Sequence, residues 1–169
     1  MTVPRFLRVP CIRRLAALTA DAFQAPVPRV TGPWPAALDA YAAFTAEAAR
    51  RALGDETRLE TLRARLFVNA HDLGSRLRAA LRIRSARRAA SVARALYEVI
   101  GVDFRCAGGE FRVRACRFSR CYSPQVCRLI SSLDDGLFSG LSGGGRLEFD
   151  QRITEGAAAC TGRTGGITV

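Results

Sequence analysis

Four of the chain's six cysteines lie between residues 116 and 160, three of them within CRFSRCYSPQVC (residues 116–127). Cys116, Cys121, Cys127 and Cys160 form a set of thiols that could hold tetrahedral zinc or an iron–sulfur cluster. Neither gap within the cluster is the usual CxxC spacing. The pattern therefore predicts a zinc or iron site, with buried apolar cysteines or a catalytic thiol as open alternatives.

The same stretch contains residues that could carry acid–base chemistry. Ser123 and Pro124 are typical of a helix start, which places Cys127 on the first turn, where the helix dipole favours a thiolate. Asp134, further along that helix, could act as a general base or a further metal ligand, and Glu155 could place an acid near Cys160. We take Cys127, Asp134 and Glu155 as candidate catalytic residues, the alternative being carboxylates that are merely solvated.

Strands must surround that helix if these side chains are to converge. Residues 102–118 alternate between apolar and polar types around Gly108-Gly109, which predicts a β-hairpin. A helix over 124–141 follows, then a strand in RLEFDQRIT (146–154) and a short last strand containing Cys160. In this hairpin the alternation places Phe111, Val113 and Ala115 on one side and Cys116 on the other.

The first part of the chain is predicted to be helical. From 36 to 101 apolar residues recur every three or four positions, with Asp55 and Ser85 as helix-start residues. Residues 1–35 hold six of the seven prolines, so we expect an extended arm with one short helix over 12–23. The prediction is an α+β fold: a single domain over 36–169, with helices over 36–101 packed on a small antiparallel sheet over 102–163 that has one inserted helix.

All 26 basic residues are arginine, and the net charge is +11. Such a charge favours acidic partners, but the sequence contains no helix-turn-helix signature, zinc-finger spacing or aromatic RNA-binding motif. We therefore keep nucleic-acid binding only as a lesser alternative and do not expect nucleic acid as a partner. The abundance of arginine and alanine is typical of a GC-rich bacterial genome.

We expect neither a transmembrane helix nor a secretory signal peptide. No apolar run is long enough for a transmembrane helix, and the N-terminus lacks the apolar region and cleavage site of a signal peptide. We expect a cytoplasmic protein, whose clustered cysteines would then serve metal binding or catalysis more than disulfides.

Residues 90–163 resemble the L-2-amino-thiazoline-4-carboxylic acid hydrolase-like proteins, and are also similar to cysteine-containing vinyl-reductase-like small-molecule-binding domains. The resemblance rests on ALYEVIGVDF, the cysteine-ended strand VRACRF, a helix with a D-x-G-type sequence, and the pair RITEG…C. Its matched positions are Cys116, Cys127, Gly156 and Cys160.

This resemblance implies hydrolytic opening of a cyclic C=N bond in a small heterocyclic or amide-like substrate, that is, a C–N bond hydrolase. A thiolate, or a metal held by thiolates, would activate the reaction, and Arg114, Arg117 or Arg152 would hold a substrate carboxylate. A non-catalytic module that binds a small ligand or a metal, as a sensor or carrier, is the alternative interpretation of the same residues.

Overall fold

The computed structural model describes residues 2–166, which form five α-helices and one four-stranded sheet. This arrangement confirms the predicted α+β fold. Two short 3-10 helices, Arg117–Arg120 and Ile153–Glu155, follow strands of the sheet. The main elements are α1 (Arg5–Phe23), α2 (Trp34–Ala52), α3 (Glu56–Ala80), α4 (Ala86–Val99), β1 (Val102–Ala107), β2 (Glu110–Cys116), α5 (Pro124–Ser142), β3 (Arg146–Gln151) and β4 (Cys160–Gly165).

The sheet is antiparallel throughout, with the strand order β1-β2-β4-β3. Gly108 and Gly109 form the turn between β1 and β2, both with positive φ, as the hairpin prediction requires. Helix α5 lies in the chain between β2 and β3 and packs against β3. The predicted inserted helix is thereby confirmed.

The helix starts follow local side-chain chemistry. Asp55 caps α3 by accepting a hydrogen bond from the Arg58 amide, and Ser85 does the same for the Arg88 amide of α4. Ser123 accepts from the Val126 amide, with Pro124 at the first position of α5. These caps satisfy amides that the helices leave unpaired, and all three helix starts agree with the prediction.

Helix α1 is longer than predicted. It begins at Arg5 instead of Ile12 and passes through Pro10, whose ring removes one backbone hydrogen bond. Ile12 and Ala16 are completely buried, and α1 packs against α2 and α3. The prediction of extended chain before Ile12 is wrong because packing of the apolar face outweighs the local cost of one proline.

Helices α3 and α5 lie unusually close together because glycines face each other across their contact. A Cβ atom added at Gly136 would overlap with the carbonyl group of Phe67, and one added at Gly140 would overlap with that of His71. The close approach fixes which face of α5 turns toward the sheet. Within residues 2–166 no helix is both long and apolar enough to span a membrane.

Candidate functional site

A partly open cavity of about 290 Å³ lies between the helices and the inner face of the sheet. Its volume is close to the lower end of small-molecule pockets, and about twice that of an engineered cavity of about 150 Å³ that binds benzene in another protein. The walls are mostly apolar and rich in rings. The aromatic residues lining it are Tyr41, Tyr97, Phe104, Phe111, Phe118, Tyr122 and Phe149.

One face of α5 supplies the polar side chains of the cavity. Cys127, Ser131 and Asp134 are spaced four and three residues apart, so they share the face of the helix that lines the cavity. Leu129 and Leu133 pack among the buried residues of this helix. The face therefore introduces a thiol, a hydroxyl and a carboxyl group into an otherwise apolar space.

The structure brings three of the four predicted metal-site thiols to the cavity. Cys116, Cys127 and Cys160 line it, whereas Cys121 is exposed and its thiol donates to the Phe118 carbonyl at 3.4 Å. The 3-10 turn Arg117–Arg120 carries Cys121 away from the other thiols. In the described part of the chain, no group of three or more His, Cys, Asp or Glu side chains could hold a metal ion.

A β-bulge explains why Cys116 reaches the cavity. Val102 pairs with Cys116 and Phe104 with Val113, so β2 contains one more residue than β1 over this interval. The extra residue inverts the alternation at the strand's end. As a result Ala115 is exposed and Cys116 lies on the side of Phe111 and Val113, contrary to the prediction from simple alternation.

Two of these thiols are held in the neutral form. Burial raises the pKa of Cys116 to about 12, against smaller opposing effects of the backbone at Ser119 and Phe118. Burial also raises the pKa of Cys160, although the Ile153 amide donates to its sulfur at 3.3 Å. Because nucleophilic attack requires a thiolate, the raised pKa values disfavour that role for both residues.

Arg152 places a cation at the cavity wall. Its Nη1 donates to Ser131 Oγ at 2.7 Å and to Cys127 Sγ at 3.8 Å. The guanidinium carbon lies 3.8 Å from the centre of the Phe149 ring, and only 14% of the side chain is exposed. The cation is therefore held by the Ser131 hydroxyl, the Cys127 sulfur and an aromatic face, with Glu155 Oε1 at 4.0 Å from Nε.

Asp134 is the carboxyl group of the cavity. The Tyr97 hydroxyl donates to its Oδ1 at 3.0 Å. Burial raises the pKa of Asp134 to about 6, while the Tyr97 hydrogen bond and the charge of Arg152 act in the opposite direction. A carboxyl group with this pKa changes its protonation state close to neutral pH.

The remaining predicted residues lie outside the cavity. Glu155 accepts from Arg128 Nε at 2.8 Å and does not line the cavity, so it adds no acid beside Cys160. Arg114 is exposed because neighbouring residues of a strand face opposite sides, and Arg117 forms a two-pronged ion pair with Asp39. Of the three arginines predicted to hold a substrate, only Arg152 reaches the cavity.

Several cavity residues were absent from the sequence-based set. Tyr97, Ser131 and Phe149 contact Asp134 or Arg152. Thr154 lines the cavity, and its Oγ1 is buried without a hydrogen-bond partner among the described residues. The i, i+4, i+7 spacing of Cys127, Ser131 and Asp134 could have identified Ser131, but Thr154 has no comparable signal.

Comparison with known proteins finds no protein family that matches the chain and no match among curated proteins.

Proposed function

We propose that this protein is a binding module for a small, mainly aromatic molecule, as a sensor or carrier. The observation that carries the proposal is the cavity of about 290 Å³, whose walls are mostly apolar and which contains a few polar groups. Pockets that bind small molecules have this composition. The resemblance of residues 90–163 to small-molecule-binding domains supports the same role.

The apolar wall supports a ligand on physical grounds. Apolar side chains that face water in a partly open cavity are stabilised when a ligand of matching shape removes that surface from water.

Binding fits the geometry better than the predicted catalytic set does. Cys127 and Asp134 are seven residues apart on α5, about 10 Å along the helix axis, and Glu155 lies outside the cavity. Buried Cys116 and Cys160 stay protonated because their pKa values are raised. The proposed binding role needs none of these residues to react.

Naphthalene is a suitable first probe because its two fused rings match the size of the cavity. At ten times its dissociation constant a ligand stabilises the folded protein by about 1.4 kcal/mol. For a chain of this size that corresponds to a rise in melting temperature of about 3–6 °C.

The control compares two valine-to-phenylalanine substitutions, one inside the cavity and one at the surface. Val113→Phe adds a ring to the cavity wall, and Val68→Phe adds the same ring at a site that is 53% exposed. We expect naphthalene to raise the melting temperature of the wild type and of Val68→Phe but not of Val113→Phe. Equal shifts in the two variants, or no shift in the wild type, would reject the proposed function.

A second candidate function, a C–N bond hydrolase, is favoured by the contact between Arg152 and Cys127. Among residues 2–166 this is the one hydrogen bond from a cationic side chain to a thiol. Attack of Cys127 Sγ on an amide-like carbon would form a C–S bond and break the C–N bond, with the thiol proton passing to the leaving nitrogen. Water would then cleave the C–S bond and restore the thiol.

The test of this candidate is turnover of 2-amino-thiazoline-4-carboxylate by the wild type and by Cys127→Ser. The hydrolase role requires turnover that Cys127→Ser abolishes while naphthalene binding is retained. Absence of turnover in the wild type, or its persistence in Cys127→Ser, would remove the hydrolase role and leave the binding role intact.

A further inference from the structure

We infer that the cavity selects a planar aromatic ligand whose polar head is uncharged, and discriminates against aromatic anions and cations of the same size. This inference rests on the proposed binding function and specifies its ligand class. The feature that carries it is the placement of one carboxyl group and one largely buried guanidinium group, Asp134 and Arg152, in the wall of the same apolar cavity; the other arginine of the lining, Arg14, is exposed to solvent.

Among residues 2–166, neither charged group has a close ion-pair partner of its own. Asp134 forms no ion pair among residues 2–166, and its hydrogen-bond donor is the neutral Tyr97 hydroxyl. Arg152 forms a long ion pair with Glu155, whose Oε1 is 4.0 Å from Nε and also accepts from Arg128 Nε at 2.8 Å. Both groups therefore retain hydrogen-bonding capacity toward a ligand.

When Asp134 is ionised, it and Arg152 are opposite charges of similar burial, whereas the charge of the exposed Arg14 is screened by solvent. A ligand anion would be attracted by Arg152 and repelled by Asp134, and a ligand cation would experience the reverse. Because these effects oppose each other, the cost of removing the ligand's charge from water is left largely uncompensated. A neutral ligand does not incur that cost.

A neutral head can still form hydrogen bonds with groups of the cavity wall. Asp134 accepts, Arg152 donates, and the buried Oγ1 of Thr154 has no partner among the described residues. A phenolic hydroxyl both donates and accepts, so it could bond to more than one of these groups. The stacked and edge-on rings around it favour a flat ligand body.

Protonation of Asp134 gives an independent way to change the charge of the cavity. Burial raises its pKa to about 6, so below that pH the carboxyl group becomes neutral and Arg152 leaves the cavity positive. An aromatic carboxylate should then bind more tightly, whereas a phenol should be unaffected. The titratable or charged groups that interact with Asp134 are Tyr41, Tyr97, Cys116, Tyr122, Asp135, Arg152 and Cys160.

The experiment compares four probes that share one bicyclic ring: naphthalene, 2-naphthol, 2-naphthoate and 2-naphthylmethylammonium. Their dissociation constants are measured by calorimetric or fluorescence titration of the full chain at about pH 7.5, where Asp134 is ionised. We expect 2-naphthol to bind at least about tenfold more tightly than either ion. We also expect 2-naphthoate to gain affinity when the pH is lowered to about 5, where it remains largely ionised.

Variants that each remove one charge test whether Asp134 and Arg152 cause the preference for an uncharged ligand. Asp134→Asn should increase affinity for 2-naphthoate by about tenfold without helping the cation, and Arg152→Gln should do the reverse. Titration with naphthalene checks that each variant still has the cavity, and lowering the pH tests the charge of Asp134 without any substitution.

The outcomes separate the inference from the function on which it rests. Failure of all four probes, including naphthalene, would overturn the proposed binding function. If naphthalene binds but an ion binds as tightly as 2-naphthol, or Asp134→Asn does not change the preference for 2-naphthoate, the inferred ligand class is wrong and the binding function survives.

Discussion

Replacing Asp134 by asparagine should make the protein more stable at neutral pH. The carboxyl group lies in the cavity wall, where burial disfavours its ionised form, and its direct hydrogen-bond partner is the Tyr97 hydroxyl. Asparagine has the same shape, and its Oδ1 can still accept that hydrogen bond. The substitution therefore removes a buried charge while it conserves the local contacts.

The magnitude follows from the pKa of the carboxyl group. It rises from an ordinary value of 3.8 to about 6 in the folded protein. One pKa unit corresponds to 1.36 kcal/mol, so the ionised form of Asp134 costs about 3 kcal/mol of stability. The favourable effect of Arg152 is already contained in this pKa, because its charge opposes the rise.

The pKa values of Asp134 in the unfolded and folded chain also determine the pH range over which this cost appears. Between about pH 4 and pH 6 the folded chain keeps the Asp134 proton while the unfolded chain releases it, so the wild type loses stability as the pH rises. Below about pH 4, position 134 should contribute equally to the stability of the wild type and of Asp134→Asn. Above it, Asp134→Asn should be more stable by about 3 kcal/mol, or about 6–12 °C in melting temperature.

The assay is urea unfolding of the wild type and Asp134→Asn across this pH range. Asp135→Asn is the matched control, since the neighbouring carboxylate accepts from Arg146 and from the Leu147 amide at 3.0 Å. It should lose about 1–3 kcal/mol at neutral pH. A stability difference for Asp134→Asn that does not vary with pH, or a loss of stability at neutral pH, would refute the reasoning.

Two further predictions concern helix packing and the thiols. Gly136→Ala should destabilise the fold by about 1–3 kcal/mol in urea unfolding, because its Cβ would overlap with the Phe67 carbonyl and overpack the contact between α3 and α5. Gly165→Ala is the control, since its added Cβ has its nearest neighbour at 3.4 Å; equal losses in both variants would contradict the packing argument. Elemental analysis with thiol titration of the unfolded protein should give six free thiols without bound zinc or iron; about one metal per chain would restore the thiolate site predicted from the cysteine spacing.

Stability and binding are linked at position 134. A residue that costs the fold about 3 kcal/mol is the kind that functional sites retain. If Asp134→Asn is both more stable and altered in its choice among the naphthalene probes, the carboxyl group serves ligand selection at the expense of stability. The two measurements use the same variant and are independent of each other.

The sequence alone determined the elements whose formation depends on neighbouring residues. The helix starts at Asp55, Ser85 and Ser123 were predictable because a cap acts over three residues. The hairpin turn at Gly108-Gly109 was predictable because glycine readily adopts positive φ. Apolar spacing likewise predicted the helices between 36 and 101, and hence the α+β class.

Only the tertiary structure decided which side chains meet. The bulge in β2 turned Cys116 inward, and it depends on how β2 pairs with β1, which simple alternation within one strand does not reveal. Arg117 and Arg152 are chemically alike, yet one pairs with Asp39 on α2 and the other lies in the cavity. Their different roles arise because contacts between residues far apart in the chain depend on how whole elements pack, and that packing also creates the cavity.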